Sequence, residues 1–428
     1  MRRLILLAVL VAVAGALSTA PAHARARTGS CLLPGTARAC TVWTGKVPWV
    51  DDGDTLRVDL DGDGSRSAIK VRLTGINAQE QTVYTSDPRR RRGECHALEA
   101  TARLEQLVRR SRGRVRLSAM EPSSRSGNRW RRAVAVKIAG RWRDVGRLLI
   151  AEGHALWMPS GRERAWNAEY SLLAERAAAQ RLGMWSPTYC GLGPSDASPL
   201  SVEVNSDADG IDADFVNGEW VRVRNLDPVN AVHLGGWTLR NSLRRYTFPE
   251  WATLPPHEWL TVYVGQGTDT WTDFFWGRSA PLFSNQRTGD RVIGDGAYLV
   301  DPQGDIRAWM TYPCRTGCAD PYHGALRVTA EPRGREHVTV ANVGAAAVAL
   351  DGYRLATPPY TYAFGPDAVL APGEKMRIEV GGDPAEDTTL VKHWGQTGSI
   401  LTDAGDTVSL ESLRGVVLDC YAYGSGTC

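Results

Sequence analysis

Arg72 and Glu80 stand eight residues apart in the run Val71-Arg72-Leu73-Thr74-Gly75-Ile76-Asn77-Ala78-Gln79-Glu80. The run begins as a strand and turns at Gly75, so the guanidinium and the carboxylate can face one cleft. A second segment, Val50-Asp51-Asp52-Gly53-Asp54-Thr55-Leu56, sets acidic side chains in a turn. Together these are the parts that cleaving a phosphodiester needs. Water requires a base, the extra charge on five-coordinate phosphorus requires cations, and a metal usually fixes the geometry. Arginine suits the cationic part because its planar fork reaches two phosphate oxygens and keeps its charge near neutral pH. Each piece also has an ordinary reading. Asp52 and Asp54 alone are turn residues of a hairpin, and Glu80 alone is a solvated surface carboxylate. Asp59-Leu60-Asp61-Gly62-Asp63-Gly64 opens like an EF-hand loop, but its twelfth position is Lys70 rather than Glu, which favours a polar hairpin tip.

The elements that must position these groups can be read between Cys31 and Gly191. β-type runs lie at 41–47, 56–58, 69–73, 115–117 and 133–138. Helical period appears over 94–110, with Ala97, Thr101, Leu104 and Val108 on the apolar face. It recurs near 144–152 through Val145, Leu148 and Leu149. A third helix is expected to start with Asn167 as its N-cap and to stop before Gly183. Five strands with a few helices fit a mainly β fold, a small barrel of the oligonucleotide-binding type.

With Gly93-Glu94, Glu99-Ala100 and an arginine-rich strand leading into Asp144-Val145-Gly146, the two segments resemble the staphylococcal-nuclease-like (thermonuclease) family. The resemblance covers about 150 residues, and its motifs are specific in combination. It implies that Glu80 is the general base, Arg72 a phosphate clamp and Asp54 a calcium ligand. It further implies hydrolysis of DNA and RNA with Ca2+, attack at the 5′ side of the phosphodiester and 3′-phosphate products. The second clamp must come from Arg129, Arg131 or Arg132. Val134, Val136 and Ile138 share one face of their strand, and Arg132 shares their parity, so Arg131 is preferred and Arg132 kept in reserve. One position departs from the family. Asn77 stands where a second acidic calcium ligand would fall, and its amide oxygen brings no charge. Ala78 supplies a backbone carbonyl as the next ligand, and Gln79 replaces the usual proline before the Glu.

Charge divides the chain. Residues 31–191 carry 28 Arg and Lys against 17 Asp and Glu, a balance of +11, while 192–428 carry 18 against 30, a balance of −12. A polyanion is therefore expected to meet the front half only. Clusters Arg89–Arg92 and Arg109 to Arg116 suit either a groove for a nucleic-acid backbone or a solvated face, and Trp130, Trp142, Trp157 and Trp166 either stack bases or pack. His96 and His154 have no matched partners in the sequence and receive no catalytic role.

Residues 192–200 read as a linker rich in Gly, Pro and Ser. Beyond it Gly236-Trp237-Thr238-Leu239 recurs as Gly352-Tyr353-Arg354-Leu355, and Tyr246-Thr247-Phe248 as Tyr362-Ala363-Phe364, both with an offset of 116. Leu254-Pro255-Pro256 and Gly289-Asp290 recur likewise at Leu370-Ala371-Pro372 and Gly405-Asp406. Two tandem immunoglobulin-like β-sandwiches, at 201–318 and 325–428, are expected. The first, with Asn217-Gly218-Glu219-Trp220 and Leu234 to Leu239, resembles a lamin-tail domain, and the second is a more divergent copy. That resemblance implies modules that bind a cell surface or a protein partner, or act as spacers. Residues 1–24 read as a secretory signal and no later run is long enough to span a bilayer, so a secreted, extracellular protein is expected. Eight cysteines in an exported chain favour disulfides: Cys95 with Cys190, and the close pairs 31–40, 314–318 and 420–428. Two rival readings stay open at this point. One is a nucleic-acid-binding module without catalysis, and the other an adhesion protein carried by the sandwiches.

Overall fold

The computed structural model describes residues 26–31, 38–190, 200–208, 210–227, 229–256, 258–287, 291–313, 320, 322–412 and 417–428. The expected signal at 1–24, the linker up to 199, Gly289-Asp290 and the pair Cys314 and Cys318 lie outside the described residues.

The front strands are β1 (Arg27–Ser30), β2 (Ala39–Val50), β3 (Thr55–Leu60), β4 (Ile69–Leu73), β5 (Ile76–Asn77), β6 (Arg114–Ala119), β7 (Arg125–Ser126), β8 (Arg129–Ile138), β9 (Arg141–Asp144) and β10 (Leu156–Trp157). Strands β2-β3-β4-β8-β6 form a ring, because β6 pairs back onto β2. Closure removes the open edges of the sheet. β1 adds an outer strand to β2, so the domain begins before Cys31. Every expected strand is present, and β4 and β8 run parallel.

Helix α1 (Ala97–Arg110) buries the expected Ala97, Thr101, Leu104 and Val108. It starts later than its pattern because His96 has φ 66, a left-handed conformation that a helix does not continue through. Helix α2 (Val145–Ala151) is capped by Asp144, which accepts from the Arg147 N–H. Helix α3 (Asn167–Ala179) corrects the N-cap expectation. Asn167 is already helical, and its side chain bonds Ser160 and the Val292 carbonyl instead of its own first turn. Part of the arginine clusters is taken up by structure: Arg91 and Arg109 pair with Glu105, Arg114 with Asp61, and Arg116 donates to the Ser30 carbonyl. Asp61 thereby belongs to a hairpin tip, as expected.

A β-sandwich follows: β11 (Leu200–Asn205), β12 (Trp220–Asn225), β13 (Val232–His233), β14 (Thr238–Arg240), β15 (Arg245–Thr247), β16 (Thr253–Leu254), β17 (Trp259–Tyr263), β18 (Asp273–Phe275), β19 (Asp295–Val300) and β20 (Ile306–Tyr312). Sheets β11-β12-β17-β18 and β15-β14-β19-β20 enclose its core, with β13 and β16 paired beside them. Ten further strands, from β21 (Leu326–Glu331) to β30 (Val417–Gly424), pair in the same order. Strands starting at 232, 238, 253 and 259 correspond to strands starting at 348, 354, 369 and 375, an offset of 116 each time. Buried anchors repeat with them. Asn225 donates to the Leu254 carbonyl as Asn342 does to that of Leu370, and Glu219 accepts from two loop N–H groups as Glu336 does.

Barrel and first sandwich are packed together. Leu156, Ala177, Ala178, Met184 and Trp185 share one buried cluster with Tyr298, Val300 and Ile306, while Val292 joins the barrel core. Trp185 lies 5.7 Å from Tyr298 and 5.2 Å from Trp309 between ring centroids. The Cys95–Cys190 disulfide sits at this boundary. Asp305 accepts from the Cys190 N–H at 2.8 Å, and a Cβ on Gly304 would come within 2.7 Å of Cys95 Cβ. Cys31–Cys40 and Cys420–Cys428 are also bonded.

Trp185→Ala is expected to cost about 3–5 kcal/mol, the usual range for emptying a buried tryptophan site. Calorimetry should then show the front of the molecule melting earlier than the second sandwich. Next to the disulfide, His96 Nε2 meets His154 Nδ1 at 2.8 Å. Burial, then the His154 charge, pushes His96 down to about 4, so the folded chain keeps it neutral. The unfolded chain binds more protons below its ordinary value, and stability therefore falls as pH drops from about 6.5 towards 4. Melting temperatures at pH 7.5 and 5 should show this loss, and His96→Gln should reduce it.

Candidate active site

Strand register brings the expected cations into one row. Thr55 of β3 pairs with Arg72 of β4, and Arg72 pairs with Arg131 of β8. Paired positions project from the same face of a sheet, so the three side chains emerge together. Arg129, two residues before Arg131, shares that face. Arg132 projects from the other. It is 4% exposed, donates to the Pro122 and Arg131 carbonyls, and lies over the Trp43 and Trp130 rings at 4.5 and 4.9 Å. Arg132 is thus engaged by backbone carbonyls and ring faces on the side away from Arg72.

The turn before β3 is closed by the Asp51 and Asp52 N–H groups donating to the Thr55 carbonyl, and by Asp52 Oδ1 accepting the Asp54 N–H at 3.0 Å. Asp52 is accordingly a turn former. Gly53 permits a close approach, since a Cβ there would lie 2.7 Å from Ala100 Cβ of α1 and 2.8 Å from Ala78 Cβ. Asp54 is thereby pressed against the segment 76–80. Its Oδ2 accepts from Arg72 at 2.9 Å and from the Ala78 N–H at 3.2 Å, and its Oδ1 from the Thr55 hydroxyl at 2.7 Å. Arg72 also donates to Asn77 Oδ1, and Arg129 donates to the Thr55 hydroxyl at 3.1 Å.

Glu80 stands exposed beside this buried group. Its backbone N–H donates to Glu94 Oε2 at 2.9 Å, and its carbonyl accepts the Glu94 N–H at 3.0 Å. Partial burial and the Asp54 and Glu94 charges push its carboxyl above the ordinary value, against the pull of Arg72 and Arg129. Burial, then Asp54, raises Asp52 to about 7. Burial and the nearby Arg72 charge lower Arg131. Arg72 Nε and Arg131 Nε are both buried without a hydrogen-bond acceptor among the described residues. Two adjacent cations with unused donors, next to a carboxylate of raised basicity, can receive an oxyanion and take a proton from water.

Asp54 Oδ2 and Asn77 Oδ1 converge on the same Arg72 nitrogen, Nη2. Oxygen donors of this type are those calcium takes, with the Ala78 carbonyl as the third expected donor, but here both side-chain oxygens are engaged by the guanidinium. The charge supplied is small, because Asp54 is the single carboxylate of that set. Among the described residues the one group of three His, Cys, Asp or Glu within ligating reach is Cys95, Cys190 and Asp305, and its sulfurs are bonded to each other.

The sandwich also reaches this site, which no local pattern foretold. Asn77 Nδ2 donates to the Ser242 carbonyl, Arg240 donates to Gln79 Oε1 at 2.5 Å, and Arg245 pairs with Glu94 at 2.7 Å. One signal lay in the sequence: three of the nine arginines between 201 and 313 fall within 240–245, in an acidic half.

Residues 197–314 match the Lamin Tail Domain family, an immunoglobulin-like fold, which corresponds to the first sandwich. No curated protein matches the chain.

The two faces of β8 predict opposite responses. Arg132→Ala should lower stability by about 2–3 kcal/mol through lost charge-assisted hydrogen bonds. Arg131→Ala should leave stability nearly unchanged, because it also relieves repulsion with Arg72. Denaturant unfolding of both variants checks this.

Proposed function

We propose that the barrel hydrolyses phosphodiester bonds of DNA and RNA. The observation that carries this reading is the pair of unused guanidinium donors on Arg72 and Arg131, adjacent across β4 and β8. A scissile phosphate bound there presents its non-bridging oxygens to both forks. Glu80 accepts a proton from water as the water oxygen bonds to phosphorus. The bond from phosphorus to the 5′ oxygen then breaks, that oxygen takes a proton from solvent and leaves as a 5′-hydroxyl, and the two guanidinium groups stabilise the charge on the equatorial oxygens. Arg129 adds a third positive charge on the same face. Asp54, Asn77 and the Ala78 carbonyl are the residues that would hold calcium, which would supply Lewis-acid orientation of water when bound. The thermonuclease-like motifs and the five-strand ring support the same assignment.

The second sandwich repeats the strand order of the first, and we read it as a further domain of lamin-tail type. Three disulfides among the described residues fit secretion into an oxidising compartment. Among the described residues no helix is long and apolar enough to cross a membrane.

Glu80→Gln keeps the shape of the side chain and removes the base. Digestion of labelled single-stranded DNA should slow about 10²–10⁴-fold, while binding to the same strand persists. Full activity in that variant would refute Glu80 as the base. Binding without hydrolysis in the wild-type chain, with and without calcium, would turn the reading to a non-catalytic module.

A further inference from the structure

The segment 77–80 carries two expected calcium ligands and the expected base, and two of its four side chains, those of Asn77 and Gln79, are committed to another domain. Asn77 bridges: its Oδ1 accepts from Arg72 and its Nδ2 donates to the Ser242 carbonyl. Gln79 Oε1 accepts from Arg240, which is 4% exposed. Glu94, which accepts the Glu80 backbone N–H, is gripped by both Arg245 nitrogens, Nη1 at 2.7 Å and Nη2 at 2.8 Å. Asn241 and Ser242 are themselves fixed by the buried Asp295, so the hairpin is rigid where it meets the barrel. β10 holds the other side of the segment, pairing Leu156 with Asn77.

We propose that residues 240–245 of the first sandwich are a positioning element of the phosphodiester site, holding the 77–80 turn so that Glu80 stays beside Arg72. The proposal rests on the reading of the barrel as a phosphodiesterase. It accounts for both departures in the turn. An aspartate at 77 has no N–H for the Ser242 carbonyl, and a proline at 79 has no side-chain acceptor for Arg240. Two arginines of an otherwise acidic domain, Arg240 and Arg245, meet Gln79 and Glu94 at this contact. Arg245 acts through Glu94 and not on substrate.

Arg245 is exposed, so its replacement leaves the fold in place. In the full-length chain, Arg245→Ala should raise amide hydrogen exchange across 78–81 by about tenfold, the size of one lost charge-assisted pair. Arg245→Lys should restore part of the protection. On a short fluorogenic oligonucleotide, Arg245→Ala should lower kcat about tenfold and leave KM within about twofold, because Glu80 is misplaced while the clamps are intact. A direct electrostatic role would instead raise KM and shift with salt. Unchanged exchange across 78–81 overturns the proposal, as does a change confined to KM. A wild-type chain that hydrolyses nothing refutes the reading of function, and the exchange experiment then still decides whether the hairpin orders the turn.

Discussion

Arg72 is 4% exposed, and a cation so far from water has to be met by oxygens. Asp54 and Asn77 meet it, and each sits in a different turn. The guanidinium therefore fastens the loop before β3 to the segment after β4, alongside the hydrogen bond from the Ala78 N–H to Asp54. Gly53 makes that junction sterically possible, and Thr55 extends it to Arg129. Because one nitrogen, Nη2, meets both oxygens, Nε is left without an acceptor among the described residues. An anchored Nη2 and an unpartnered Nε thus belong to one planar group, an arrangement that a lysine has no means to provide.

The same economy of partners governs the contact with the first sandwich. Side chains that close the barrel's site toward the domain boundary (Asn77, Gln79 and Glu94) find their complements within six residues of one hairpin. Around it, the aromatic packing of Trp185 and the intrusion of Val292 into the barrel core make the boundary resemble a domain interior more than a hinge. A module joined to the barrel through a Gly- and Pro-rich segment thus behaves as part of its wall.

Much of this was legible in the residues. Periodicity located five strands and three helices, and alternation placed Arg131 and Arg132 on opposite faces of β8, as the strand register has them. The 116-residue offset of the sandwich repeat survives in four strand starts, and the paired Asn and Glu anchors repeat one residue further apart. Long-range contacts were not legible. Asn167 looked like a helix cap, yet its amide donates to a carbonyl 125 residues away, and the Asn77 amide reaches one 165 residues away. An amide reports its local options in sequence but not the distant carbonyl that recruits it. Asp52 and Asp54 needed register and close packing to be told apart, because one closes the turn and the other leaves it.

The placement of Cys190 also sets how tension travels through the molecule. A pull applied to the sandwiches along the chain enters the barrel at Cys190, and the sulfur bond passes it straight to Cys95, at the threshold of α1. The 95-residue span between them, including β6, β8 and all three helices, lies off the mechanical path. Arg131 belongs to that sheltered loop, whereas Arg72 and Glu80 lie upstream of it. Stretching would thus load the strand that carries one fork and spare the strand that carries the other.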